Sequence, residues 1–150
     1  MKPLIILIVS FFVILLVTYF TGRADFIFAG NAAMSIMLVV TGIGHFKYRK
    51  GMVMMLPPGI PYKQQVVLMT GIFEFLAAVG LFFMDFRLLT ASLLIMFFIA
   101  ILPANINAAV NRVDIYKGNK EGPGKNYLWF RVPLQVLFIL WVWYFGTFAE

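Results

Sequence analysis

Thr70-Gly71-Ile72-Phe73-Glu74-Phe75-Leu76-Ala77-Ala78 sets one carboxylate in the middle of an apolar run that extends from Val66 to Met84. No other acidic residue lies deep inside a long hydrophobic segment of this chain. A charge at the centre of a bilayer costs roughly 2.5–3.5 kcal/mol on insertion scales. Glu74 therefore needs a proton, a partner or a wet cavity. Other apolar segments offer partners: His45, Asn105, and Arg131 with Gln135. The expected structure is five hydrophobic helices around a buried polar group.

The composition fits that expectation. Of 150 residues, 63% are hydrophobic and 12% are charged, against about 45–50% and about 25% in soluble domains. The gap makes this an integral membrane protein, and the length suits a single domain, residues 1–150. There are no cysteines, which removes disulfides, thiol redox chemistry and Cys-based metal sites. One histidine and few clustered carboxylates speak against a metal site built from protein alone. The net charge is +6. The basic residues lie between apolar segments, so they read as topology signals and contacts to anionic lipid, not as a nucleic-acid surface.

Outward from Glu74, the spans are expected at about 4–20, 26–46, 63–84, 88–110 and 127–145. Glu74 sits eleven positions into the third, about 16 Å along its axis, near the bilayer midplane. The first run, Leu4 to Phe20, reads as a span and not a signal peptide, because Thr21-Gly22-Arg23-Ala24-Asp25 is a poor cleavage context. In the second span Asn31, Ser35, Leu38, Gly42 and His45 share one face, the small and polar side expected to pack on neighbours. Lys47 to Lys50 end that span. Gly51 to Pro61 is too short and too proline-rich to cross, so it reads as interfacial or re-entrant. Asp85-Phe86-Arg87 reads as the turn between the third and fourth spans. Pro103 should kink the fourth, with Asn105 and Asn107 on opposite sides. Arg131 and Gln135 share a face of the fifth, and Trp141, Trp143 and Tyr144 suit an aromatic belt. Continuous apolar runs exclude a β-barrel, and no inverted repeat suggests a transporter.

Topology follows from charge. Lys2, Lys47, Arg49, Lys50, Lys63, Arg112, Lys117, Lys120 and Lys125 fall on one side of a five-span chain, Arg23 and Arg87 on the other. Nine against two puts the N-terminus in the cytoplasm and Glu150 outside. His45, Asn105, Arg131 and Gln135 then share the cytoplasmic half of the bundle, with Glu74 deepest. The functional reading pairs Arg131 with Glu74, with Gln135 and Asn105 as hydrogen-bonding supports. Such a set could bind the polar head of a lipophilic molecule or relay protons to a quinone, histidine being a group that exchanges protons near neutrality. Met52, Met54 and Met55 could line its entrance. The structural alternative is that Arg131 snorkels, Gln135 bonds a neighbouring helix, and the methionines fill gaps.

Gly44-His45-Phe46, Pro57-Pro58-Gly59-Ile60-Pro61, Thr70-Gly71-x-x-Glu74, Pro103-Ala104-Asn105-Ile106 and Arg131-Val132-Pro133-Leu134-Gln135, in this order, resemble the DoxX-like family of small bacterial membrane proteins. The resemblance implies a four-helix transmembrane bundle in the bacterial inner membrane, with the first span added to it. It also implies a link to quinone chemistry, since the family takes its name from a subunit associated with thiosulfate:quinone oxidoreductase. Two functional readings stay open. One is a pocket for a quinone-like or other lipophilic molecule, contacted by Glu74, Arg131, His45, Gln135 and Asn105. The other is a non-enzymatic accessory subunit or assembly factor that works with a membrane-protein partner or a second copy of the chain.

Overall fold

The computed structural model describes residues 2–22 and 25–148. Arg23, Ala24 and Glu150, which enter the charge and topology reading, lie outside the described residues. Seven α-helices are present among them: α1 (Lys2–Phe20), α2 (Phe26–Lys47), α3 (Arg49–Met55), α4 (Lys63–Gly80), α5 (Met84–Ala100), α6 (Leu102–Val110) and α7 (Leu128–Trp143). A short 3₁₀ turn, Lys125–Tyr127, leads into α7, and a π-helical turn, Tyr144–Phe148, follows it. The protein is all-α. Among the described residues four stretches are long and apolar enough to cross a membrane: Lys2–Phe20, Phe26–Lys47, Met84–Val110 and Lys125–Thr147. The helix that carries Glu74 is not among these four. Its start, Lys63-Gln64-Gln65, and Glu74 itself dilute an otherwise apolar sequence.

Asp25 opens α2, its carboxylate accepting the Phe28 N–H at 2.8 Å, as an N-cap does. The face expected from its sequence is the buried one: Asn31, Ser35, Leu38 and Gly42 are all enclosed. This face meets α4 along two glycines. A Cβ on Gly42 would lie 3.3 Å from the Gly71 carbonyl, and one on Gly71 would lie 2.7 Å from His45 Cβ. Removing both side chains lets the two backbones approach closely, which is how small residues bring membrane helices together.

The apolar core joins α1, α2, α4, α5 and α7 through Leu7, Met34, Leu38, Ala77, Leu94 and Val142, all buried. At one end, Gly30 leaves room for the Phe145 ring, Asn31 Nδ2 donates to the Phe145 carbonyl at 2.9 Å, and Trp141 Nε1 donates to the Gly30 carbonyl at 3.0 Å. Phe11 stacks edge-on against Trp141 at 5.1 Å between centroids. Trp141 is thus half-buried, with its indole N–H spent on a carbonyl inside the bundle. Trp143 and Tyr144 are exposed.

Three boundaries differ from the sequence reading. The turn after α4 is Leu81–Phe83, so Asp85 and Arg87 belong to the first turn of α5. An acidic residue is favourable there, and Arg87 Nε donates back to the Leu81 carbonyl at 3.2 Å. The expected kink at Pro103 is a break: α5 ends at Ala100, and proline occupies the first turn of α6, where its missing N–H costs nothing. The segment expected to be interfacial or re-entrant starts inside α3, whose Gly51 packs directly on the Ile115 backbone. From Leu56 it leaves the helix and makes a turn, the Ile60 N–H donating to the Pro57 carbonyl at 3.2 Å, before α4.

Candidate functional site

The end of the bundle opposite the Phe145–Trp141 cluster holds a cavity of about 610 Å³, within the roughly 300–1,000 Å³ span of small-molecule sites. Its lining includes His45, Glu74, Asn105, Arg131 and Gln135. Residues from four helices, α2, α4, α6 and α7, far apart in sequence, thus face one space. Met52 and Met55 also line it, whereas Met54 does not. At its mouth the chain's basic segments meet. Lys2 Nζ lies 4.7 Å over the Tyr116 ring, and Tyr48 packs edge-on against Tyr116 at 4.9 Å.

Glu74 is buried at the centre of α4, and its partner is His45. Nδ1 of His45 lies 3.3 Å from Glu74 Oε2, with the two side chains 15% and 6% exposed. The same nitrogen is 3.0 Å from the Thr41 carbonyl. A carbonyl can only accept, so this contact places the ring hydrogen on Nδ1 and aims it one turn back along α2. Glu74 Oε2 is therefore within ion-pair distance of the imidazole yet accepts no hydrogen bond. Gly71 makes the pairing possible. It lies one turn before Glu74, where any side chain would push His45 away.

The expected pairing of Glu74 with Arg131 does not form. Arg131 lines the same cavity, but its guanidinium carbon sits 5.9 Å over the Tyr127 ring. Among the described residues no carboxylate lies within ion-pair distance of it. The reason is local: Tyr127 is one turn before Arg131, so the long side chain folds back on its own helix.

Gln135 and Asn105 satisfy each other and not Glu74. Asn105 Nδ2 donates to Gln135 Oε1 at 2.7 Å, and Gln135 Nε2 donates to the Phe98 carbonyl, beside the α5–α6 break. Both residues are nearly inaccessible. These two bonds tie α7 to the broken helix. Asn107, on the opposite face of α6, donates to the Met55 carbonyl at 2.8 Å and fixes α3.

The sequence reading missed Thr41 and Thr70, which line the cavity beside His45 and Glu74. A signal for the His45–Glu74 pair was present, because Gly42-x-x-His45 and Gly71-x-x-Glu74 have the same spacing on the two facing helices. No group of three or more metal-ligating side chains comes together among the described residues.

Residues 34–146 match the family model described as Domain of unknown function (DUF8561). The chain belongs to this family. Nothing among curated proteins or solved structures matches it. The DUF8561 region contains all five site residues, from His45 to Gln135, and leaves α1 and the start of α2 outside. Lys2, Pro3 and Ile6, which complete the cavity wall, thus come from beyond the DUF8561 region.

Proposed function

We propose that this DUF8561 protein is a DoxX-like, five-span protein of the bacterial inner membrane whose cavity binds the polar head of a quinone-like or other lipophilic molecule. The observation that carries the reading is Glu74 Oε2: a buried carboxylate oxygen on the wall of a 610 Å³ cavity, 3.3 Å from His45 Nδ1 but with no hydrogen bond completed to it. Buried polar atoms are nearly always satisfied, so a donor on a bound molecule is the group that Glu74 lacks. His45 holds the carboxylate in place, and Thr41 fixes the imidazole. Helix α4 serves as the fifth span. Its 18 residues reach about 27 Å, and the unfavourable placement of Glu74 in it is offset by His45 and by the cavity. The nine-to-two charge bias supports a cytoplasmic N-terminus, with the cavity opening on that side.

Glu74→Gln tests the reading, because it keeps the shape and removes the carboxylate. The expected result is a folded protein that has lost a lipophile co-purifying with the wild type, measured by mass spectrometry of extracted small molecules. A folded variant with an unchanged complement of lipophile refutes it.

A second reading, an accessory subunit or assembly factor, is favoured by the Asn105–Gln135–Phe98 bonds. They are internally complete and need no ligand. Loss of folding in Glu74→Gln would support this reading, with the polar interior serving only to fix helix packing.

A further inference from the structure

The cavity's charges are unevenly spent. Its basic lining residues are Lys2, Lys47 and Arg131, besides His45, and its carboxylates are Glu74 and Asp114. Asp114 is used by its own turn: Oδ1 accepts the N–H groups of Tyr116 at 2.9 Å and Lys117 at 3.1 Å. Glu74 faces His45. Lys2 and Lys47 lie at the mouth over Tyr116 and Tyr48. Arg131 is half-buried, a turn toward the mouth from Gln135. Its guanidinium carbon lies over the face of Tyr127, and among the described residues no carboxylate is within ion-pair distance of it. A guanidinium held in an apolar surround without an anion is costly. Its fork of donors fits a carboxylate or phosphate with two parallel bonds, whereas a single neutral carbonyl would occupy only part of it. Much of the remaining wall is apolar, with Met37, Val67, Phe97, Ile101, Leu134 and Phe138.

Resting on the reading of this cavity as a lipophile site, we propose that its occupant is an acidic amphiphile, an apolar chain whose carboxylate or phosphate head pairs with Arg131. The chain fills the space between α2, α5 and α7. The head lies toward the basic mouth, and a hydroxyl on the occupant would serve Glu74.

The test uses the full-length protein in a neutral detergent, with three probes of equal chain length: oleate, oleoyl lysophosphatidate and oleyl alcohol. Native mass spectrometry reads saturable one-to-one binding. The expected result is that at least one acid binds about tenfold or more tightly than the alcohol, as one charge-assisted contact implies. The tighter of the two acids identifies the head. Arg131→Gln brings the acids down to the alcohol's affinity, and Arg131→Lys keeps part of the difference. If the alcohol binds as tightly as both acids, the acid preference is wrong while the lipophile pocket stands. If none of the three binds, both fall. The comparison of probes on wild-type protein decides the matter even if Arg131→Gln does not fold.

Discussion

Replacing Gln135 with leucine removes both polar bonds that join α7 to the α5–α6 break. Asn105 Nδ2 loses its acceptor at 2.7 Å, and the Phe98 carbonyl loses its donor. Interhelical hydrogen bonds in membrane proteins average about 0.6 kcal/mol and reach about 1.7. Two of them give an expected destabilisation of about 1.2–3.4 kcal/mol for Gln135→Leu, and one gives about 0.6–1.7 for Asn105→Leu. The double variant should lose little more than Gln135→Leu alone, because the shared bond is already gone. The coupling energy of the cycle should therefore be about 0.6–1.7 kcal/mol. The assay is reversible unfolding in mixed micelles titrated with a denaturing detergent, followed by circular dichroism. Additive losses, with coupling under about 0.3 kcal/mol, would refute the reasoning, since they would mean that the two amides do not depend on each other.

Gly71→Leu places a side chain where a Cβ alone would be 2.7 Å from His45 Cβ. It should destabilise by about 1–3 kcal/mol, whereas Gly59→Ala, with nothing within 4 Å, should stay within about 0.5 kcal/mol; thermal unfolding in detergent separates the two. Trp141→Phe keeps the ring contacts and removes the bond to the Gly30 carbonyl. The expected loss is about 0.6–1.7 kcal/mol in the same detergent titration, and an unchanged midpoint would count against that bond. A cysteine placed at Lys120 should be protected from an impermeant thiol reagent in intact cells and labelled in inverted membrane vesicles; the reverse pattern would overturn the proposed orientation.

The helices and the buried face of α2 were legible in the sequence, because apolar run length and the spacing of Asn31, Ser35, Leu38 and Gly42 are local properties. So was the set of polar residues facing one interior, because an ionisable group in an apolar run has few tolerable environments. The pairings within that set were not. Arg131 and His45 are both plausible partners for Glu74 by depth. The choice is made by the Gly42–Gly71 approach, which brings α2 against α4, and by Tyr127, which draws Arg131 back. Boundaries failed where end effects decide. Asp85 reads as turn material but serves equally well in the first turn of a helix, and Pro103 ends a helix or begins one depending on what its neighbours can bond. Gln135 supplies such a bond at Phe98, from more than thirty positions away.

The aromatic cluster at the Phe145 end is separate from the cavity. Leu7, Phe11, Leu94, Trp141 and Phe145 pack in the apolar core, and none of them is among the residues that line the cavity. Filling the cavity would therefore leave that packing undisturbed, and a change in the cluster would reach a guest only through the core residues between them.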